Sequence, residues 1–204
     1  MRQENLLIRY YLYVEGIDYM NVAILSSSCE NVDDYYINLA KTVSSDLASR
    51  NFDLVFGGCS TSMMGECYKE FINQGRSVYS FTTVKYTGDI ANLPQARHCI
   101  KETTFDLKKS LFENSDLILA LAGGFGTLSE MLSFIEENRS NDKEVPIVIY
   151  DTNHYYYYLL EQLKVMDDNK FLNADITKWV TIINSHDEWL DYIDKFNDKK
   201  GMSR

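Results

Sequence analysis

From residue 21 onward, short β-type runs alternate with helical patterns, and this alternation leaves the chain few architectures to adopt. The runs lie near Val22–Leu25, Leu54–Phe56, Val78–Thr82, Leu117–Leu121, Ile147–Tyr150 and Val180–Ile183. Helical segments are predicted over Asp33–Arg50, Met64–Gln74, Arg97–Glu113, Thr127–Asn138, Tyr155–Met166 and Asp187–Phe196. Repeated strand–helix–strand order predicts an α/β fold, a doubly wound parallel sheet with helices on both faces. In the first helix Tyr36, Leu39, Ala40, Val43 and Leu47 recur at helical spacing, the face expected to pack on the sheet.

A length of 204 residues suits one well-packed domain and is short for two. Residues 21–197 are therefore read as a single domain, residues 1–20 as an extension and residues 198–204 as a polar, frayed tail. The extension carries the apolar run Leu6–Val14, which fits an added strand, a helix or an oligomer contact equally well.

A net charge of −10 argues against nucleic acid and anionic membrane as partners. It leaves a small anionic ligand open, because convergent backbone N–H groups outweigh distant surface charge. Cys29, Cys59, Cys67 and Cys99 have neither zinc-ligand spacing nor the pattern of a secreted disulfide framework, which fits a reducing, cytoplasmic setting. Neither a signal-peptide core nor a run long enough to span a bilayer stands out.

In a sheet of order 3-2-1-4-5, the connections after strands 1 and 4 leave in opposite directions and open a crevice at the carboxyl ends. The loop Ser26-Ser27-Ser28-Cys29 would then face Ala122–Gly126, with Gly57-Gly58-Cys59-Ser60-Thr61-Ser62 alongside. The segment Ala122-Gly-Gly-Phe-Gly-Thr-Leu-Ser-Glu130 reads as a glycine turn and a helix start, a geometry suited to a phosphate. Gly123, Gly124 and Gly126 are free to take positive φ and carry no Cβ to hold a ligand away. Thr127 and Glu130 also fit a capping box, so Glu130 is on residue types either a cap or a functional carboxylate.

Lys108 has Phe105, Leu111 and Phe112 at helical neighbour positions, so its charge either snorkels outward or meets an anion in the crevice. Lys109, between Asp106 and Glu113, reads as a solvated surface partner. Lys-Ser/Thr does not follow the glycines of the second loop and GxGxxG does not follow the first strand, which disfavours P-loop NTPases and ordinary dehydrogenases. Cys59 reads as a small loop residue. His98, His154 and His186 read as surface or turn residues without metal-ligand spacing, and no metal or organic cofactor is called for. The run Tyr155–Tyr158 reads as a helix start whose aromatics cover a sheet edge or a subunit contact.

The three loops, in this order, resemble the LOG (Lonely guy) family of cytokinin-activating nucleoside 5′-monophosphate phosphoribohydrolases, many once labelled possible lysine decarboxylases. Asp53–Gly65 is similar to the family's second-strand segment, Ala122–Glu130 to its Pro-Gly-Gly-x-Gly-Thr-x-x-Glu, and Phe105–Lys109 to its Met-His-x-Arg-Lys. The resemblance implies a Rossmann-like fold, usually a homodimer, that releases free base and ribose 5-phosphate from a nucleoside monophosphate. It implies that Gly123, Gly124, Gly126 and Thr127 bind the phosphate, that Glu130 is catalytic, and that Lys108 stands at the family's functional arginine. On this reading Ser26, Ser27, Gly57 and Gly58 help shape the ribose and base pocket. The departures are Lys108 for arginine, Asp106 for histidine, Ala122 for proline, and Cys59 and Ser62 for glycines. They motivate an alternative, a nucleotide-binding or sensing protein with little hydrolysis. Lysine decarboxylation is disfavoured, since no lysine site for pyridoxal phosphate is identifiable.

Overall fold

The computed structural model describes residues 20–140, 143–173 and 175–202; the run Leu6–Val14 lies outside them. Seven strands form one sheet: β1 Met20–Leu25, β2 Phe52–Phe56, β3 Val78–Thr83, β4 Arg97–Lys101, β5 Leu117–Ala120, β6 Ile147–Tyr150 and β7 Val180–Ile183. Their order is β4-β3-β2-β1-β5-β6-β7, and every neighbouring pair is parallel. The helices of the described residues are α1 Asp34–Ser49, α2 Ser62–Asn73, α3 Thr104–Glu113, α4 Phe125–Ser140, α5 Tyr157–Asp168 and α6 His186–Met202, with a kinked 3-10 stretch over Val84–Asn92 and 3-10 turns at Thr152–His154 and Ile176–Lys178.

Side-chain alternation along each strand splits the core into two layers. On one face Val22, Ile24, Leu54 and Leu119 pack against Ala40, Val43 and Leu47 of α1, Met63 and Phe71 of α2, and Trp189 and Ile193 of α6. On the other face Ala23, Leu25, Ile118 and Ile149 meet Leu107 and Leu111 of α3 and Met131 and Phe134 of α4. The doubly wound class expected from the alternation is what the chain adopts. The start of α1 is also where the sequence puts it, because the Asp33 side chain accepts the Tyr35 N–H at 2.8 Å and so caps the helix.

One predicted helix is corrected. Arg97–Glu113 is not continuous: Arg97–Lys101 is the edge strand β4, paired with β3, and the helix begins at Thr104. Thr103, two residues beyond the strand, caps the helix, its Oγ1 accepting the Asp106 N–H at 3.1 Å and donating to the Asp106 carboxylate at 2.6 Å. The edge strand carries polar residues because, among the described residues, one of its sides has no partner, which blurs its periodicity. His98 therefore lies in a strand, half-buried, with its Nε2 3.1 Å from the Leu93 carbonyl, rather than on a turn. At the other end α6 runs to Met202, into the segment read as a polar tail.

Candidate functional site

Strands β1 and β5 are neighbours at the centre of the sheet, and the helices that follow them lie on opposite faces. A crevice between their carboxyl ends follows from that topology. Three loops meet there and are stitched together. Thr127 Oγ1 of the β5–α4 turn donates to the Ser26 carbonyl at 3.2 Å, the Met64 N–H donates to the Ser27 carbonyl at 3.2 Å, and Thr61 Oγ1 donates to the Ser28 carbonyl at 2.8 Å.

The glycines of the β5–α4 turn divide the work. A Cβ on Gly123 would lie 2.1 Å from Thr127 Oγ1, so Gly123 is glycine because the threonine side chain occupies its space. A Cβ on Gly124 or Gly126 would meet nothing within 4 Å, so both leave the entrance to α4 open. None of the three takes positive φ; among the described glycines only Gly58 and Gly75 do. The first intrahelical bond runs from Leu128 N to the Gly124 carbonyl at 3.0 Å, which leaves the N–H groups of Phe125, Gly126 and Thr127 without an acceptor one turn back. These groups and the positive end of the helix dipole face the open side of the turn.

The capping-box alternative for Glu130 does not fit. The helix begins at Phe125, so Thr127 is already helical, and its hydroxyl is committed to Ser26. Glu130 instead stands one turn behind Gly126 and Thr127 on the same helix face. Side chains on a helix lean toward its N-terminus, and Gly126 has no Cβ to block the approach of the carboxyl to the turn. Glu130 keeps part of its surface open to the crevice, yet burial pushes its carboxyl up to about 7, against the pull of the Lys108 charge, which lowers it.

Lys108 neither snorkels freely nor stands idle. From α3 its Nζ donates to Ser129 Oγ at 2.6 Å and to Ser133 Oγ at 3.2 Å, one turn apart on α4, and lies 3.3 Å from the Ser129 carbonyl. The tie fixes a cation beside Glu130. Asp106 is spent on capping α3, and Lys109 sits exposed 3.9 Å from Glu113, as its neighbours suggested.

The other candidates serve structure in visible ways. The Ser26 hydroxyl faces the buried Cys67 thiol, so Ser26 offers the crevice its backbone rather than its side chain. Ser27 Oγ accepts the Cys29 N–H at 3.1 Å. Gly57 is half-buried, and a Cβ on it would make an ordinary contact with Met64 Cε at 3.7 Å, whereas Gly58 is buried at φ +78° with its absent Cβ only 2.2 Å from Ser80 Oγ. Cys59 is engaged with Thr61, Sγ to Oγ1 at 3.3 Å. Among the described residues no group of three or more His, Cys, Asp or Glu is placed to hold a metal ion, and no helix is long and apolar enough to cross a membrane.

Two residues at this crevice escaped the sequence reading. Tyr155 donates its hydroxyl to the Gly123 carbonyl at 2.8 Å, and Tyr156 donates to the Leu121 carbonyl at 2.5 Å. The run of four tyrosines thus splits: Tyr156, buried, and Tyr155, itself 43% exposed, bond carbonyls at the glycine turn, while Tyr157 and Tyr158 are exposed, as a surface reading expects. The usable signal was position, since the run follows directly on β6, the strand beside β5.

Fold and crevice together define a doubly wound α/β protein with its functional loops at the switch point between β1 and β5. The model of the family described as "Possible lysine decarboxylase" matches residues 64–193, and the chain belongs to that family, the LOG family. It is 23% identical over 188 residues to a "Probable cytokinin riboside 5'-monophosphate phosphoribohydrolase LOGL6" of Oryza sativa subsp. japonica, covering 88% of this chain and 72% of that protein. It is 29% identical over 147 residues to the "Cytokinin riboside 5'-monophosphate phosphoribohydrolase LOG1" of Arabidopsis thaliana, covering 68% of this chain and 65% of that one. Among solved structures, the molybdenum cofactor carrier protein of Chlamydomonas reinhardtii matches with a TM-score of 0.64 at 12% identity, covering 87% of this chain and 97% of the other, a likeness of fold.

Proposed function

We propose that the protein is a nucleoside 5′-monophosphate phosphoribohydrolase that hydrolyses the N-glycosidic bond to give free base and ribose 5-phosphate. The observation that carries this reading is the carboxyl of Glu130, raised to about 7 beside the Lys108 cation and one turn behind a glycine turn with open N–H groups. Gly123, Gly124, Gly126 and Thr127 seat the phosphate, and this remote binding energy fixes the anomeric carbon against the carboxylate. As the C1′–N bond breaks, its electron pair leaves with the base and positive charge spreads over C1′ and the ring oxygen. Ionised Glu130 stabilises that charge and aligns the water that adds to C1′, and the proton this water gives up ends on the departing base. Lys108 holds enough of the Glu130 population ionised near neutrality. Ser26, Ser27, Gly57 and Gly58 shape the ribose and base side of the crevice, chiefly through backbone. The protein works in the cytoplasm as a homodimer; Phe105, Phe125 and Leu132, exposed along α3 and α4, are apolar surface that a second subunit would cover.

A second reading, nucleotide binding or carriage without turnover, draws on Lys108. An ammonium replaces the family's planar guanidinium, and its donors are already engaged by Ser129 and Ser133. A panel of nucleoside monophosphates, assayed for free base and ribose 5-phosphate by chromatography, separates the two. Hydrolysis predicts release that falls at least about a hundredfold in Glu130→Gln. Tight binding without release, equal in both proteins, would establish the binding protein instead.

A further inference from the structure

The β6–α5 connection is built with unusual effort for a surface turn. Asn153 and His154 both take left-handed backbone, φ +52° and +55°, conformations that non-glycine residues adopt at a cost. The strain turns the chain sharply enough to aim two consecutive tyrosines at two carbonyls of the β5–α4 turn, Tyr155 at Gly123 and Tyr156 at Leu121. The turn is braced from several sides: Asp151 Oδ1 accepts the Tyr156 N–H at 2.7 Å, the Tyr155 N–H reaches the Thr152 carbonyl at 3.1 Å, and Tyr35 and Thr152 share a hydroxyl–hydroxyl bond. The Tyr155 ring is held edge-on by Tyr36 of α1 at 5.8 Å and by Tyr156 at 5.0 Å.

What this achieves follows from peptide geometry. In a trans peptide the C=O and the next N–H point in opposite directions, and no cis peptide occurs among the described residues. A hydroxyl that fixes the Gly123 carbonyl on one side therefore fixes the Gly124 N–H on the other. Gly124 is exposed and a Cβ on it would find nothing within 4 Å, so protein atoms do not fill the space around this peptide. A glycine peptide is otherwise free to rotate.

We propose that Tyr155 is a positioning residue for the phosphate seat, its hydroxyl locking the Gly123–Gly124 peptide so that the Gly124 N–H is aimed into the crevice. This rests on the phosphate-binding reading given under Proposed function. The test is calorimetric binding of ribose 5-phosphate and of ribose to the wild type and to Tyr155→Phe, which keeps the ring and loses only the hydroxyl, with exposed Tyr158→Phe as control. The expected result is a loss of about tenfold in ribose 5-phosphate affinity in Tyr155→Phe, with binding of ribose and the thermal melt unchanged. For turnover, KM for the monophosphate rises while kcat moves less. If ribose 5-phosphate binds Tyr155→Phe as tightly as it binds the wild type, or if ribose and ribose 5-phosphate weaken together, the positioning role is wrong. A wild type that does not bind ribose 5-phosphate overturns the phosphate-site reading itself, a result distinct from either.

Discussion

The β2–α2 and β5–α4 loops each follow a buried strand with Gly-Gly and enter a helix within a few residues, yet their glycines answer to different neighbours. In the first, Gly58 sits at φ +78° against Ser80, and Gly65 lies where a Cβ would be 2.2 Å from the Ser60 carbonyl oxygen. Those glycines exist because other protein atoms fill the space. In the second, Gly123 is likewise filled by Thr127, but Gly124 and Gly126 adjoin nothing, and the space they leave is available to something that is not protein. Glycine in a sequence states only that a side chain is missing; whether the gap is occupied decides if it serves packing or binding.

That contrast is open to attack by substitution, beginning with the largest effect. Gly65→Ala must move backbone, and a loss of about 3 kcal/mol is expected, a drop in Tm of roughly 6–12 °C. Gly58→Ala meets a left-handed backbone and a movable hydroxyl, so about 2 kcal/mol is expected. Thermal melts that found either substitution neutral would erase the distinction between the loops.

A smaller effect concerns the charge of Glu130 on the β5–α4 side. With the Glu130 carboxyl raised to about 7 and required ionised, kcat/KM should rise with pH through neutrality and be lost below it. Lys108 lowers that value, so Lys108→Met should move the acid limb to higher pH; a pH–rate profile that stays in place would remove Lys108 from the site. The smallest change is Gly126→Ala, where open space and a helical position predict a gain of roughly 0.5 kcal/mol in stability, opposite in sign to the β2–α2 glycines. The same variant should bind ribose 5-phosphate more weakly, and a titration of it beside its melt checks both signs.

The central strands were legible because burial on both faces makes them continuous apolar runs, and Asp33 announced its helix by a cap that needs no tertiary partner. The edge strand Arg97–Lys101 was not, since one free side lets polar residues intrude and the run merges with the helix beyond it. The glycine turn could be found by eye, and of the two properties expected of its glycines the chain uses the missing Cβ atoms and not positive φ. The Thr127 hydroxyl bonds a residue 101 positions away, which no local capping rule registers. Tyr155 and Tyr156 act through a strained turn whose two left-handed residues are Asn153 and His154, types that tolerate this backbone more readily than most but do not require it.

The adjacency of β1 and β5 also governs how the protein comes into being. Pairing Val22 with Leu117 closes a chain segment in which β2, β3, β4 and three helices must already find places, with the neighbouring Asn21–Asp116 bond spanning 95 residues. Closure over such a distance costs more entropy than any hairpin and delays the pairing relative to local structure. The crevice lies on that seam. A nascent chain that has emerged only through β4 therefore has half of the pocket walls and no turn to complete them, so ligand binding during refolding should report the final docking of β5 rather than the collapse of either helical layer.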